Sequence, residues 1–278
     1  MSNLNELFLK AEDFKKKGMF DNAIALYNRI LKEDPQFKDI HTILGEIYYI
    51  MGDVDNAVKN YEMDMHHNEE NYLTLYRLGI VYYRATKFNK AIQIFKNIVD
   101  KGCQLDMAYY WMGLAYFHTG RIVRGIEMFE KLREKMPQNT VGCYNLAVSY
   151  QTIGQFSKAI DCLLRILEED DSIVSVHYHL ALAYLGDMQI KLALKHFTRV
   201  VELDPKHQAA QKKLDEIYND QEMLYSYGVK MTKDSDNDEE LNMNYYIGEA
   251  YKGFNMIDKT FKYLKTIALE KDKDKVKE

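Results

Sequence analysis

The chain is predicted to be all-α, a row of antiparallel helix-turn-helix hairpins, and three observations carry that prediction. The three prolines, Pro35, Pro137 and Pro205, lie 102 and 68 residues apart, three and two multiples of 34, so all share one phase of a 34-residue period. Cutting the chain on that period from Leu4 to His207 gives six segments without insertion or deletion: 4–37, 38–71, 72–105, 106–139, 140–173 and 174–207. Within those segments position 8 is always small (Ala11, Gly45, Gly79, Gly113, Ala147, Ala181). Position 24 is always bulky (Tyr27, Tyr61, Phe95, Phe129, Leu163, Phe197). Three prolines in 278 residues also leave most of the chain free to be helix interior.

Each element of the hairpin has its reason. The first helix carries the small residue at position 8 and an aromatic at position 11: Phe14, Tyr48, Tyr82, Tyr116, Tyr150 and Tyr184. Position 15 reads Gly18, Gly52, Gly120 and Gly154, where a left-handed residue ends that helix before a short turn. The second helix carries a second small column at position 20 (Ala23, Ala57, Ala91, Gly125, Ala159, Ala193) ahead of the bulky position 24. Small residues at 8 and 20 let two helices approach closely, and bulky ones at 11 and 24 fill the space beside that contact. The prolines then stop the second helix. Asn3 with Glu6 is expected to form a capping box at the start of the first helix. Beyond His207 the pattern weakens. Residues 208–240 read as a divergent repeat with a second helix from about Glu222 to Thr232 and an acidic loop, and residues 241–274 as a further repeat carrying Ile247, Gly248, Tyr251, Leu264 and Ile267. The terminal Lys271–Glu278 reads as a solvated end.

These columns resemble the tetratricopeptide-repeat family over six contiguous repeats, with two divergent ones following. The sequence departs from the family pattern at position 32, where Glu69, Cys103 and Asp171 replace proline. It departs again at position 4, where His41, Cys143 and His177 stand in place of bulky residues. The resemblance implies a right-handed superhelical solenoid whose first helices line the concave side, and a non-catalytic protein-interaction scaffold or adaptor.

The inner face is then the set of first-helix positions 2, 5, 9, 12 and 13, which helical spacing separates from the face packed on the second helix. Position 2 supplies Leu73, Met107 and Val141, and position 5 supplies Phe8, Tyr76, Tyr110, Tyr144 and Tyr178, with Tyr245 continuing the ladder. Position 9 supplies Ile80, Leu114, Val148 and Leu182, where the family usually places polar residues, and positions 12 and 13 add Tyr49, Ile50, Tyr83, Phe117 and Leu185. Helices apolar on nearly every side must be covered on both. The reading is a groove for an amphipathic helix or apolar peptide of a protein partner. The alternative is self-coverage, by the segment around Glu222–Thr232 with its Met223, Tyr225 and Tyr227, or by a second copy in a homo-oligomer. Trp111, at position 6, reads as a wedge between repeats rather than a binding hot spot.

Composition limits the remaining functions. The balance of 37 basic and 42 acidic residues, a net charge of −5, disfavours nucleic acid as a partner. Cys103, Cys143 and Cys162 have neither disulfide nor zinc spacing. His66 with His67, and His177 with His179, are too close in sequence to share a helical face, and the Asp234–Glu240 loop lacks the glycine and final glutamate of a calcium loop. No cofactor, metal or catalytic residue is expected, and the protein is expected not to be an enzyme. The three consecutive repeats needed for a chaperone C-terminal carboxylate clamp are absent: Arg77 and Asn145 each match one element, but their neighbours are Leu73, Tyr110 and Leu114. No membrane segment or signal sequence is visible, so the expectation is a cytoplasmic protein or one peripheral to a membrane complex. Two other functions stay open: a self-assembling scaffold for a secretion, pilus or flagellar machine, and a peptide-sensing regulator.

Overall fold

A computed structural model describes residues 2–37, 39–67 and 71–220. Thirteen helices run through them: α1 (Ser2–Lys16), α2 (Phe20–Glu33), α3 (Ile40–Met51), α4 (Val54–His67), α5 (Tyr72–Arg84), α6 (Phe88–Asp100) and α7 (Met107–His118), then α8 (Ile122–Lys135), α9 (Thr140–Thr152), α10 (Phe156–Glu169), α11 (Val174–Gly186), α12 (Ile190–Leu203) and α13 (Gln208–Asn219). Each of the six segments contributes two helices at the expected phase. The described residues divide into two compact units, one with α1 to α9 up to Ile153 and one with α10 to α13 from Gly154 onward. In the first unit α1/α2, α3/α4, α5/α6 and α7/α8 pack as hairpins, and each second helix also packs on the first helix that follows. In the second unit α11/α12 is a hairpin flanked by α10 and α13.

The small and bulky columns explain the hairpin contact at atomic scale. The position-24 rings Tyr27, Tyr61, Phe95, Phe129 and Phe197 are all 2% exposed or less. A Cβ on Gly45 would lie 2.6 Å from Tyr61 Cε1, on Gly79 2.7 Å from Phe95 Cζ, and on Gly113 2.6 Å from Phe129 Cε1. The ring therefore lies flat against the backbone of the facing helix, in space that a methyl group would otherwise claim.

The position-15 residue between the two helices is left-handed in all six segments. Gly18, Gly52, Gly120 and Gly154 have φ between +71° and +82°, as their identity predicts, but Thr86 (+57°) and Met188 (+61°) adopt the same conformation at position 15 without being glycine. Packing of the two helices decides the turn there, against the local cost of a Cβ at positive φ. The second helices end where the prolines require: α2, α8 and α12 stop at Glu33, Lys135 and Leu203, each one cap residue short of its proline. Where Asp171 replaces proline, α10 ends at the same phase with Asp170 as its cap. One expectation fails. The first helix already includes Ser2, so Asn3 lies inside its first turn rather than at a cap.

Polar contacts tie successive repeats of the first unit. Tyr82 at position 11 donates its hydroxyl to Glu62, one repeat earlier, and Tyr150 does the same to Glu130. Thr42 and Thr74 pair their hydroxyls at 2.9 Å between α3 and α5. Side-chain caps on α5 and α9 come from Asn71 and Asn139, which accept from Thr74 N and Gly142 N. The second helix of the expected divergent repeat, the acidic loop, Tyr245 and the repeat at 241–274 lie outside the described residues, as does Glu69. Within 208–240, α13 supplies the first helix, with Ala210 and Ile217 buried.

Candidate interaction surface

Of the seventeen predicted inner-face residues that the structure describes, fourteen lie in the first unit and Tyr178, Leu182 and Leu185 lie on α11 of the second. None is buried. At position 2, Leu73 and Val141 are 51% and 53% exposed, while Met107 is half-buried with the Asn139 amide 3.4 Å from its sulfur. At position 9, Ile80, Leu114, Val148 and Leu182 are all half-buried, as are Tyr49, Tyr83, Phe117 and Leu185 at position 12. Because α5 touches α7 and α7 touches α9, the row continues from helix to helix within the first unit.

The tyrosine ladder at position 5 serves its own hairpin first. Tyr76 meets Phe95 edge-on at 5.6 Å, Tyr178 meets Phe197 at 5.8 Å, and Phe8 meets Tyr27 at 5.9 Å, so the position-5 ring rests on the position-24 ring. Tyr110 packs on Phe129 at 6.2 Å and is hydrogen-bonded by Asn145 of α9. Only the outer part of each ring is left for anything else. Burial, more than any neighbouring charge, raises the phenols of Tyr76, Tyr83 and Tyr110 above their ordinary value. Their hydroxyls therefore hold their protons to higher pH than a free tyrosine does.

Trp111 is the wedge that its position suggests. Its Nε1–H donates to the Tyr76 hydroxyl at 2.8 Å, and its ring lies 5.2 Å from Tyr83 and stacks at 6.5 Å on Phe95. Tyr83 also meets Phe88 and His118, which stack on each other at 5.3 Å. The third and fourth repeats are joined by this aromatic cluster.

Two arrangements escaped the reading of the sequence. In the sixth hairpin, His177 at position 4 and His196 at position 23 stack with Nδ1 atoms 3.0 Å apart, while His177 Nε2 lies 2.7 Å from the Asp171 carbonyl oxygen. That carbonyl only accepts, so His177 carries its proton on Nε2 and accepts at Nδ1 from the Nδ1–H of His196. Burial first, then the neighbouring His177 and Lys195, hold His196 down to about 4. The signal was available: His41 and Asn60 occupy the same two positions of the second repeat and pair at 3.3 Å. The second arrangement is a cleft of about 300 Å³ among α3, α4 and α5, lined by Glu46, Tyr49, Ile50, Tyr61, Arg77, Ile80 and Val81.

Among the described residues no group of three or more His, Cys, Asp or Glu side chains is placed to hold a metal ion, and no described helix is long and apolar enough to cross a membrane.

Comparison with known proteins agrees with the fold. Sequence profiles of the tetratricopeptide repeat match residues 8–63, 76–140, 142–172 and 174–207. No curated protein sequence matches the chain. Among solved structures, the C-terminal part of a tetratricopeptide-repeat protein from Cytophaga hutchinsonii is 18% identical, over 84% of this chain and 98% of that one, with a TM-score of 0.66. YrrB, described as a tetratricopeptide-repeat protein with an unusual peptide-binding site, is 13% identical over 68% and 97%, with a TM-score of 0.60. MamA from Desulfovibrio magneticus is 20% identical over 60% and 95%, with a TM-score of 0.57. At such identities the likeness is one of fold. The unbroken register, the six pairs of helices along the chain and the profile matches lead to one assignment: the chain belongs to the tetratricopeptide-repeat family and is a protein-interaction scaffold.

Proposed function

We propose that the protein is a non-catalytic adaptor that docks an amphipathic helix or apolar peptide of a protein partner on the inner-face row of its first helices. The observation that carries this reading is the apolar row itself: Ile80 on α5, Met107 and Leu114 on α7 and Val148 on α9 are half-buried, with Leu73 and Val141 exposed at its edge. Each side chain is packed along one flank and open along the other, which leaves a rigid apolar surface with little entropy to lose on binding. A partner helix with apolar residues at i, i+3, i+4 and i+7 matches such a row. The peptide-binding description of YrrB, a protein of the same fold, is consistent with it.

The test introduces negative charge into the row. Leu114→Asp combined with Leu182→Asp is expected to abolish capture of the partner from a cell extract while far-UV circular dichroism is unchanged. Retained capture with intact helicity would move the site off this face.

A further inference from the structure

The turns of the third and fourth hairpins carry a charge pattern that the first two do not. Residues 84–90 and 118–124, which end one helix and start the next, hold Arg84, Lys87, Lys90, Arg121 and Arg124 and no carboxylate. The corresponding residues of the first two hairpins include Asp21, Asp53 and Asp55. Lys87 and Arg121 are the N-cap residues of α6 and α8, without a side-chain cap bond, and Lys90 and Arg124 follow three residues later. Neither helix has an acidic residue in its first turn, whereas α2 has Asp21 and α4 has Asp55. A cation at a helix N-terminus opposes the helix dipole, so helix formation gives no reason for these four.

All five cations are exposed, and the two turns that carry them are joined. Arg121 Nη2 donates to Asn89 Oδ1 at 2.6 Å, and Phe88 stacks on His118 at 5.3 Å. The Arg84 guanidinium lies 4.7 Å over the Tyr49 ring, the Lys90 ammonium 5.0 Å over Tyr82, and the Arg121 guanidinium 4.9 Å over Tyr116. Stacking on a ring restrains a long side chain without neutralising its charge. The ion pairs among the described residues lie elsewhere. None includes any of the five, and Glu127, three residues beyond Arg124, makes none with it. A restrained cluster of cations that the fold leaves unneutralised is complementary to a cluster of carboxylates.

We propose that this turn edge is a docking surface for an acidic segment of a protein partner, one with several closely spaced aspartates or glutamates. Its carboxylates accept from Lys87, Lys90 and Arg124 and from the stacked Arg84 and Arg121. Five of the 37 basic residues stand here, which leaves 32 against 42 acidic ones over the rest of the chain. A short acidic segment meets only the edge, whereas a membrane surface or a nucleic acid extends beyond it and meets a chain of net negative charge. A protein occupant also fits the family, which is one of protein-interaction scaffolds. The proposal goes beyond the inner-face reading and does not depend on it, since the cations stand at the turns and the apolar row runs along the first helices.

The test is fluorescence anisotropy of a labelled hexaglutamate amide against the full chain, with a labelled hexaglutamine amide beside it. Hexaglutamate is expected to bind saturably and to weaken about tenfold as salt is raised from about 50 to about 200 mM, and hexaglutamine not to bind. Lys87→Gln with Lys90→Gln and Arg124→Gln is expected to weaken hexaglutamate about tenfold, with the melting temperature unchanged or higher because cations leave two helix N-termini. Lys32→Gln with Lys59→Gln and Lys96→Gln removes the same charge from exposed sites away from the edge, and is expected to change the affinity less than about twofold. Absence of saturable binding, equal binding of hexaglutamine, or an equal loss in the two triple variants would overturn the docking surface. Binding of phosphatidylserine vesicles through the same three cations, without binding of hexaglutamate, would overturn the protein occupant in favour of a membrane. Tighter hexaglutamate binding after the carboxylates of Asp234–Glu240 are replaced by amides would overturn the foreign source and make this chain's own acidic run the occupant. Leu114→Asp with Leu182→Asp is expected to leave hexaglutamate binding unchanged, so the inner-face reading and this one can fail separately; loss of binding there would overturn the edge as a surface of its own.

Discussion

The second hairpin (α3/α4) and the sixth (α11/α12) are built on one plan and differ in three columns. Both seat a buried position-24 ring against position 8, but the second places Gly45 under Tyr61 and the sixth places Ala181 under Phe197. Both turn through a left-handed position 15, but the second uses Gly52 at φ +82° and the sixth uses Met188 at φ +61°. Both join their helices by a polar pair at positions 4 and 23, but His41 faces Asn60 in one and His177 faces His196 in the other. The difference teaches that the ring seat and the turn are properties of the hairpin, which individual residues fit well or badly. The polar pair, in contrast, is where one hairpin acquires a titratable joint.

The comparison breaks most visibly at the ring seat. Gly45→Ala should cost about 1–3 kcal/mol, because the new methyl meets a ring that the core holds in place. Ala181→Gly, which removes a methyl already accommodated, should cost only about 1 kcal/mol through lost helix propensity. Urea unfolding of the two variants decides this, and a stabilised Gly45→Ala would mean that the ring shifts freely.

A pH series sharpens the contrast at the joint. His196 titrates at about 4 in the fold against 6.5 ordinarily, and it is faced by His177, Tyr184 and Lys195. Between those two values the unfolded chain takes up a proton that the folded one refuses. The contribution of His196 is therefore complete above pH 6.5 and is lost as the pH falls toward 4. His196→Asn, which copies the second hairpin, should flatten that part of the profile of melting temperature against pH. An unchanged slope would place the acid sensitivity elsewhere.

The smallest effect lies at the turn. Met188→Gly should stabilise the chain by up to about 1 kcal/mol, and Gly52→Ala should lose about 1–2 kcal/mol, since the same φ suits one residue and strains the other. Thermal melts of the pair read the sign directly, and a destabilised Met188→Gly would show that the Met188 side chain contributes more packing than its backbone costs.

The repeat plan was legible because it depends on residues at a fixed spacing along one chain. The proline phase, the small and bulky columns and the glycine turns all follow from helix geometry, and each of the six segments supplies its two helices at that phase. Thr86 and Met188 were not legible as left-handed, since the packing of two helices imposes a conformation that neither residue prefers. Position 5 was ambiguous for a related reason: only the hairpin shows that Tyr76 and Tyr178 rest on Phe95 and Phe197 before they present anything outward. The His177–His196 pair and the Tyr61 cleft join residues from different helices or repeats, so neither declares itself as a local motif. Aligning positions 4 and 23 across repeats would have pointed to the first.

The central claim is that the apolar row receives a foreign segment, and a photo-crosslinking side chain installed at Leu114 tests it most directly. The account predicts crosslinks to another protein, at a segment whose apolar residues recur at i, i+3, i+4 and i+7. Crosslinks confined to this chain's own sequence would contradict it and make the row a surface for self-coverage or self-assembly.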